Sequence, residues 1–377
     1  MRVALVVAGP WPALRGSQVL VRHLADGLAG RGHAVRVVTY GARRGERPGP
    51  RPSRVALDAW LVARLLACVR RHRIDVVHAH NYEGAIAGLV VKGMTGVPVV
   101  YHGHSAMVEE LPTYASGAPA RRLLHRVGAW LDRNVPRRAD FCIAVTEELG
   151  SQLHRAGVAA EALACIAPVG APGELRAAPS SPAGGDASLV CYAGNLDGYQ
   201  NLDFLLASFA RVRAAVPAAR LLLLTHADAG THAARLAARG LGAGVEIVTA
   251  RSYDEVRAHL AEAAVAVSPR CERSGFPMKL LNYMAAGKAI VACDGSAKGL
   301  VDGRTGRVVP GGDVDAFADA IAALLRDPAE RARLGGAARA AVEDPAPWEH
   351  VLDRIEAIHR HVVAGARRAL APITVTE

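Results

Sequence analysis

The sequence predicts an α/β protein made of two doubly wound parallel sheets, one after the other along the chain. Three observations carry this. Short apolar runs of strand length alternate with longer stretches whose apolar residues recur at helical spacing. A stretch rich in proline, glycine, serine and alanine, residues 168–187, interrupts the alternation near the middle of the 377 residues, after which it restarts. Apolar residues make up 51% of the chain and charged residues 21%, which suits folded cores and excludes a disordered chain.

Each element follows from its local pattern. Residues 2–7 form a buried first strand; the apolar run is too short for a signal peptide and no cleavage-like segment follows it. Ser17 stands where it can cap a helix whose apolar face is Val19, Leu20, Leu24 and Leu28. Strands are expected at 35–39, 75–80, 98–101, 141–145 and 163–166, with helices at 59–71, 85–92 and 120–133 between them. Beyond the break, strands are expected at 189–193, 220–225, 245–248, 264–268 and 289–293. Helices are expected at 202–216 and 279–286, from about 314 and 329, and from about 348 to 363. Short apolar strands separated by helices indicate parallel sheets covered on both faces. The domain reading is therefore 1–168, completed by the C-terminal helical segment 348–377, then a linker at 169–187, then 188–347. Two such domains facing each other leave a cleft at the carboxyl ends of their strands, where ligands bind.

Composition narrows the partners. The formal net charge is +10, and of 45 basic residues only Lys92, Lys279, Lys288 and Lys298 are lysine. Three of those four fall between 279 and 298, a clustering that asks for a reason. The basic excess points to an anionic partner, phosphate or membrane surface, or to a solvated arginine-rich face. Nucleic acid is not expected, since only 5% of residues are aromatic and no nucleic-acid motif appears. No apolar run approaches the roughly 18 residues of a membrane span. Six scattered cysteines without a CxxC argue against a disulfide framework or zinc ribbon and fit a reducing cytosol.

The chemistry-bearing segments lie at strand ends. There is no GxGxxG after either first strand, no GxxxxGK[ST], no GxSxG and no HExxH, so a dehydrogenase, a P-loop enzyme, an α/β-hydrolase and a zincin are not expected. The most informative segment is CERSGFPMKLLNYMAAG, residues 271–287. A polar loop follows a strand, Gly275 allows close backbone approach, and Phe276-Pro277-Met278 leads into a helix whose first turn carries Lys279. A lysine there opposes the helix dipole unless an anion is bound, as a phosphate would be. Asn282, eight residues beyond Ser274, is placed to bond a ribose or sugar hydroxyl. In the first half, His78 and His80 end one strand and His102 and His104 the next, each pair on one face. Glu83, Glu109 and Glu110 are expected in loops at the same edge, on the side of an acceptor. The arginine-rich helix with Arg121, Arg122, Arg126 and Arg133 is either a solvated face or a contact for anionic lipid.

These segments, with the later GLVDGRTGRVVPGGD and with DVVHAHNYEG, PVVYHGH and YAGNLDGYQNLDFLLASF, resemble retaining glycosyltransferases of the GT-B fold, family 4, over nearly the whole chain. The fold implied is two Rossmann-like domains around a central cleft. Gly16-Ser17 matches the family's glycine-rich first loop. The family's Glu-x7-Glu pair is represented here by Ser274 and Asn282, and its diphosphate-binding Arg and Lys by Asn195 and Gln200. Two positive and two negative positions thus carry neutral hydrogen-bonding residues, and Lys279 is left to supply the charge. His104 corresponds to the histidine lining the donor-sugar site, with His102 as the competing candidate.

The resemblance implies a metal-independent hexosyl- or N-acetylhexosaminyltransferase with no cofactor. It would use a nucleotide-diphosphate sugar, with a UDP-linked donor expected, and retain the anomeric configuration. His104 and Lys279 are the expected catalytic residues. Gly16, Ser17, Asn195, Gln200, Ser274, Gly275, Phe276, Pro277, Met278 and Asn282 would bind the donor. His80, Glu83, His102 and Glu109 would face the acceptor, which is a small molecule, a polysaccharide or lipid-linked. The location implied is cytoplasmic, with contact at the inner membrane face. Two other readings stay open: an inactive or partner-dependent homologue, and a metal hydrolase using His78, His80, His102 and His104.

Overall fold

A computed structural model describes residues 1–11, 16–41, 52–115, 117–169, 186–196, 198–225, 244–271, 275–344 and 346–370. It contains two six-stranded sheets, and every strand pair in both is parallel. The first sheet has the order β2-β1-β3-β4-β5-β6, from β1 (Arg2–Val7), β2 (Ala34–Val38), β3 (Val76–His80), β4 (Val99–Gly103), β5 (Phe141–Ala144) and β6 (Leu163–Cys165). The second has the order β12-β11-β10-β7-β8-β9, from β7 (Asp186–Ala193), β8 (Arg220–Thr225), β9 (Val245–Thr249), β10 (Ala263–Ser268), β11 (Ala289–Cys293) and β12 (Arg307–Val309). The strand order reverses between β1 and β3 and again between β7 and β10, so each sheet has one topological switch point, at the carboxyl ends of those strands.

Helices cover both faces of each sheet. The first sheet is packed by α1 (Gly16–Gly30), α2 (Pro52–His72), α3 (Asn81–Thr95), α4 (Met107–Glu110), α5 (Ala118–Asn134) and α6 (Glu147–Arg155). The second is packed by α7 (Leu202–Ala215), α8 (Tyr253–Glu262), α9 (Lys279–Ala285), α10 (Val314–Arg326) and α11 (Pro328–Glu343). The last helix, α12 (Ala346–Leu370), returns to the first sheet. Its Trp348, Leu352, Ile355 and Ile358 share a buried cluster with Val3, Leu5 and Leu24. Arg31 holds it by ion pairs to Glu349 and Asp353, and His33 Nε2 lies 3.0 Å from Glu356 Oε1.

Four local expectations need correction. Ser17 lies inside α1 rather than capping it, and its hydroxyl hydrogen-bonds to Gln18 Oε1 at 3.4 Å. The helix expected from residue 85 starts at Asn81, directly after β3, because Asn81 takes a left-handed φ of 61° that turns the chain at once. That shift puts Glu83 in the first turn of α3, and Glu109 and Glu110 lie on α4, so none of the three is a loop residue. Helix α6, capped by the Thr146 side chain accepting from Leu149 N, and the three-residue β12 were not anticipated.

The lysine clustering resolves into separate tasks. Lys288 is buried and donates to the carbonyls of Ala261 and Ala263, at 2.6 and 2.8 Å, so it ties the end of α8 to the strand that follows. Lys298 pairs with Glu148 of α6 and so links the two sheets' halves. Only Lys279 is left for chemistry.

Close backbone contact holds α11 in place. A Cβ at Gly335 would lie 2.0 Å from the Gly287 carbonyl oxygen. Gly335→Ala is therefore expected to destabilise the protein by about 1–3 kcal/mol, the usual cost of overpacking, read as a lower urea midpoint with unchanged slope.

Candidate active site

The two switch points face each other. At the first, β3 ends in His80 and β4 in His102 and Gly103, paired in register, with His104 next along. At the second, β7 runs into Gly194 and Asn195 and β10 into Pro269 and Arg270. The phenol of Tyr283, on α9, ties these two strand ends together. It accepts from Ala193 N of β7 at 2.8 Å and lies 3.2 Å from the Ala193 carbonyl oxygen and 3.4 Å from the Val267 carbonyl oxygen of β10.

The contact between the halves is made by the segment that the sequence singled out. Gly275 has φ +75°, and a Cβ there would lie 2.6 Å from the His104 carbonyl oxygen. The partly buried side chain of Phe276 packs against the core on one face of the first sheet, and that of Met278 against the core on the other. Pro277 is buried, and α9 begins only at Lys279, with Met278 as its N-cap. The loop thus docks onto the first sheet before the helix starts. Ser274 lies outside the described residues.

Lys279 is the centre of the second half's contribution. Its ammonium donates to Gln200 Oε1 at 2.6 Å and to the Tyr192 hydroxyl at 3.0 Å, and it stands 4.1 Å from the Tyr192 ring centroid. Burial pushes its pKa well below the usual 10.5, and the charge of Arg270 lowers it further. The Tyr192 hydroxyl in turn donates to the Asn195 carbonyl at 2.6 Å. Asn195 Nδ2 donates to Tyr199 at 2.7 Å, while its Oδ1 is buried and takes no partner among the described residues. The Arg270 guanidinium lies 5.3 Å from the Tyr199 ring centroid. Lys279, Gln200 and Asn195 therefore form one connected polar group. Asn282 lies on α9 one turn beyond Lys279. Tyr192, Tyr199 and Tyr283 were missed, because tyrosines in apolar strands and helices read as core.

On the other side the histidines form a stack. The rings of His78, His80 and His102 are nearly parallel, with centroids 4.7–5.2 Å apart. His104 follows at 5.1 Å from His102. His359 of α12, unsuspected from the sequence, joins them through Nε2, 3.0 Å from His78 Nδ1. His78 Nε2 is 3.0 Å from His102 Nδ1, and His80 Nδ1 is 3.0 Å from His104 Nε2. His78, His80, His102 and His359 are buried, and only His104 is part-exposed. Burial holds all five rings neutral, with His104 down to about 4 and His359 to about 3. His80 and His102, expected to face an acceptor, are thus sealed beneath His104. His78, His80 and His102 offer ligand nitrogens within 4.8 Å of one another. A tetrahedral zinc with bonds of about 2.0–2.1 Å needs them closer, with ring edges converging rather than faces stacked.

The glutamates are engaged. Glu83 pairs with Arg54 at 3.1 Å, Glu109 accepts from Gln152 at 2.5 Å, and Glu110 is bound by the Ser105 and Tyr114 hydroxyls. Burial raises the Glu83 pKa.

Neutral buried histidines make stability acid-sensitive. In the unfolded chain they titrate near 6.5, and in the fold they resist protonation to much lower pH. The unfolded state then binds more protons, so stability is full above about pH 6.5 and falls below it. Each ring contributes up to about 1.4 kcal/mol per pH unit. Urea midpoints measured from pH 7 to 4.5 are expected to fall steeply below 6.5, and His78→Leu is expected to flatten that slope.

Comparison with known proteins is consistent across both halves. Residues 14–168 match the model of Glycosyltransferase Family 4, and residues 187–327 that of Glycosyl transferases group 1. A D-inositol 3-phosphate glycosyltransferase of Mycolicibacterium paratuberculosis is 28% identical over 349 residues, spanning 88% of this chain and 77% of its own. A glycogen synthase of Mycobacterium tuberculosis is 25% identical over 335 residues, spanning 85% and 77%. Among solved structures, a sucrose-phosphate synthase of Thermosynechococcus elongatus superposes with a TM-score of 0.78 at 20% identity, over 97% of this chain and 99% of its own. Anabaena HepE in complex with UDP-glucose gives 0.73 at 16% identity, over 95% and 100%. With two facing Rossmann-like sheets and both halves matched by glycosyltransferase models, the chain is a glycosyltransferase of the GT-B fold.

Proposed function

We propose that the protein transfers a hexosyl or N-acetylhexosaminyl group from a UDP-linked donor to an acceptor hydroxyl, with retention and without a metal. The observation that carries this reading is the convergence of Lys279, Gln200 and Asn195 at the second switch point, across the cleft from His104. Lys279 and the Asn195 Nδ2 amide, which has a second N–H beyond the one given to Tyr199, bind the diphosphate, together with the amides at the start of α1 around Gly16 and Ser17. Gly275 brings the backbone close to it, and Asn282 takes the ribose. His104 meets the donor sugar. As the glycosidic bond breaks, negative charge grows on the leaving diphosphate, and the fixed donors and Lys279 stabilise it. The UDP and UDP-glucose complexes of the HepE neighbour support the choice of nucleotide.

Lys279 links binding to protons. Its pKa is depressed while only neutral groups and Arg270 surround it, and an arriving diphosphate restores the charged form. UDP-sugar binding is thus expected to take up a proton, measurable by calorimetry in buffers of different ionisation enthalpy. Affinity is expected to weaken as pH rises through a window below 10.5. Lys279→Ala is expected to lose the proton uptake and at least about tenfold in donor affinity, the cost of one charge-assisted hydrogen bond. A wild-type chain whose melting temperature responds to no UDP-, GDP-, dTDP- or ADP-sugar in chelator would refute the reading.

The acceptor side favours a lipid-linked substrate at an anionic membrane surface. Leu123, Val127 and Trp130 are exposed on one face of α5, at 61%, 40% and 61%. The exposed Arg121, Arg122, Arg126 and Arg133 lie on the same helix. An amphipathic helix with this make-up lies in a membrane interface. Wild type is expected to sediment with phosphatidylglycerol vesicles and not with phosphatidylcholine, and Trp130→Glu to remain in solution.

A further inference from the structure

The five histidines form two separate hydrogen-bonded chains, and counting protons in them leads to a definite chemical state for the one ring that reaches the cleft. The first chain is His359–His78–His102 and the second is His80–His104. Each neutral imidazole carries a single N–H. The second chain therefore has two N–H groups and only one ring-to-ring bond. One N–H is left over, and it sits either on His80 Nε2 or on His104 Nδ1.

These two ends differ. His80 is buried, and its Nε2 is sealed from solvent without a partner among the described residues. His78 and His102 are stacked against it at centroid distances of 4.7 and 4.9 Å and lie 5.2 Å from each other, and neither gives a nitrogen to Nε2. His104 is part-exposed, and its Nδ1 takes no partner among the described residues. An N–H left without an acceptor in the core costs its full desolvation, whereas at the cleft it meets water or substrate. The spare proton therefore belongs on His104.

We infer that His80 is a positioning residue that donates its Nδ1–H to His104 Nε2 and so fixes His104 as the Nδ1–H tautomer, a hydrogen-bond donor toward a substrate oxygen rather than a base. The inference rests on the proposed role of His104 at the donor sugar and makes that role specific. An N–H facing the cleft recognises a sugar hydroxyl or a phosphate oxygen. It cannot take a proton from the acceptor without first reversing the His80–His104 bond and leaving an N–H stranded on His80. The three-ring chain explains why the pair stays aligned: His78 and His102, hydrogen-bonded to each other, both pack against His80, and His359 of α12 anchors His78 from behind.

The test is long-range proton–nitrogen correlation NMR on wild-type protein labelled with 15N-histidine, at neutral pH and without substrate, the His104 signals being assigned by their loss in His104→Asn. The expected result is a protonated Nδ1 and a bare Nε2 on His104, and likewise a protonated Nδ1 and a bare Nε2 on His80. A protonated Nε2 on His104 overturns the inference, whether or not the protein transfers sugar. Kinetics then test the positioning. His80→Leu is expected to lower kcat by roughly tenfold, with donor KM changed less than about twofold, as for loss of an interaction made in the transition state. His80→Asn, whose amide N–H can stand near the position of Nδ1, is expected to recover most of that loss. Equal kcat for wild type and His80→Leu would overturn the positioning role. Absence of transfer by the wild type with every donor would count against the proposed function and leave the tautomer result standing.

Discussion

The molecule depends on one tight contact, where the backbone at Gly275 meets the carbonyl oxygen of His104. No side chain fits there, and the φ of +75° suits only glycine without strain. That contact sets the carboxyl edge of one sheet against the carboxyl edge of the other. Phe276 and Met278 then bind opposite faces of the first sheet's core on either side of it, and Lys279 opens its helix immediately afterwards. The loop that docks the halves is therefore continuous with the residue that supplies the site's charge, so any change in how the halves meet also moves Lys279.

The site that results uses little charge. Where the resemblance implies two cations and two carboxylates, the chain has Asn195, Gln200, Ser274 and Asn282. Lys279 donates to Gln200 and Tyr192 and stands against the ring of Tyr192. A single buried ammonium among neutral acceptors is poorly stabilised until an anion arrives. In the proposed reading, such a site selects a doubly charged phosphate group by leaving its own cation incompletely compensated. On the other wall, the histidines are neutral for the same reason, burial, and their order comes from N–H donation along the stack rather than from charge.

The carbonyl-end position of each switch point explains why so few residues do so much. Tyr283 joins the ends of β7 and β10 through its phenol. Lys288 and Lys298 hold the surrounding elements, one to the carbonyls after α8 and the other to Glu148 across the halves. All three lie within one twenty-residue stretch with Lys279, so the stretch both builds the site and fixes its frame.

The sequence by itself determined the two parallel sheets and most of their strands and helices, because burial on both faces forces continuous apolar strands and leaves a period that can be read directly. It also placed His104 at a strand end, Gly275 in the loop after a strand and Lys279 in the first turn of the following helix, since Gly and Pro punctuate those loops. Only the tertiary structure decided which polar groups touch. Glu83 was read as a loop residue because nothing in its neighbours announces the left-handed turn at Asn81. Tyr192 and Tyr283 look like core in sequence, and their hydroxyl partners, Lys279 and the backbone of Ala193, are 87 and 90 residues away. His359 stands 281 residues from His78. Local patterns record which face of an element is buried, but a hydrogen bond between distant residues depends on where two elements come to rest, and that is fixed only when the halves close on each other.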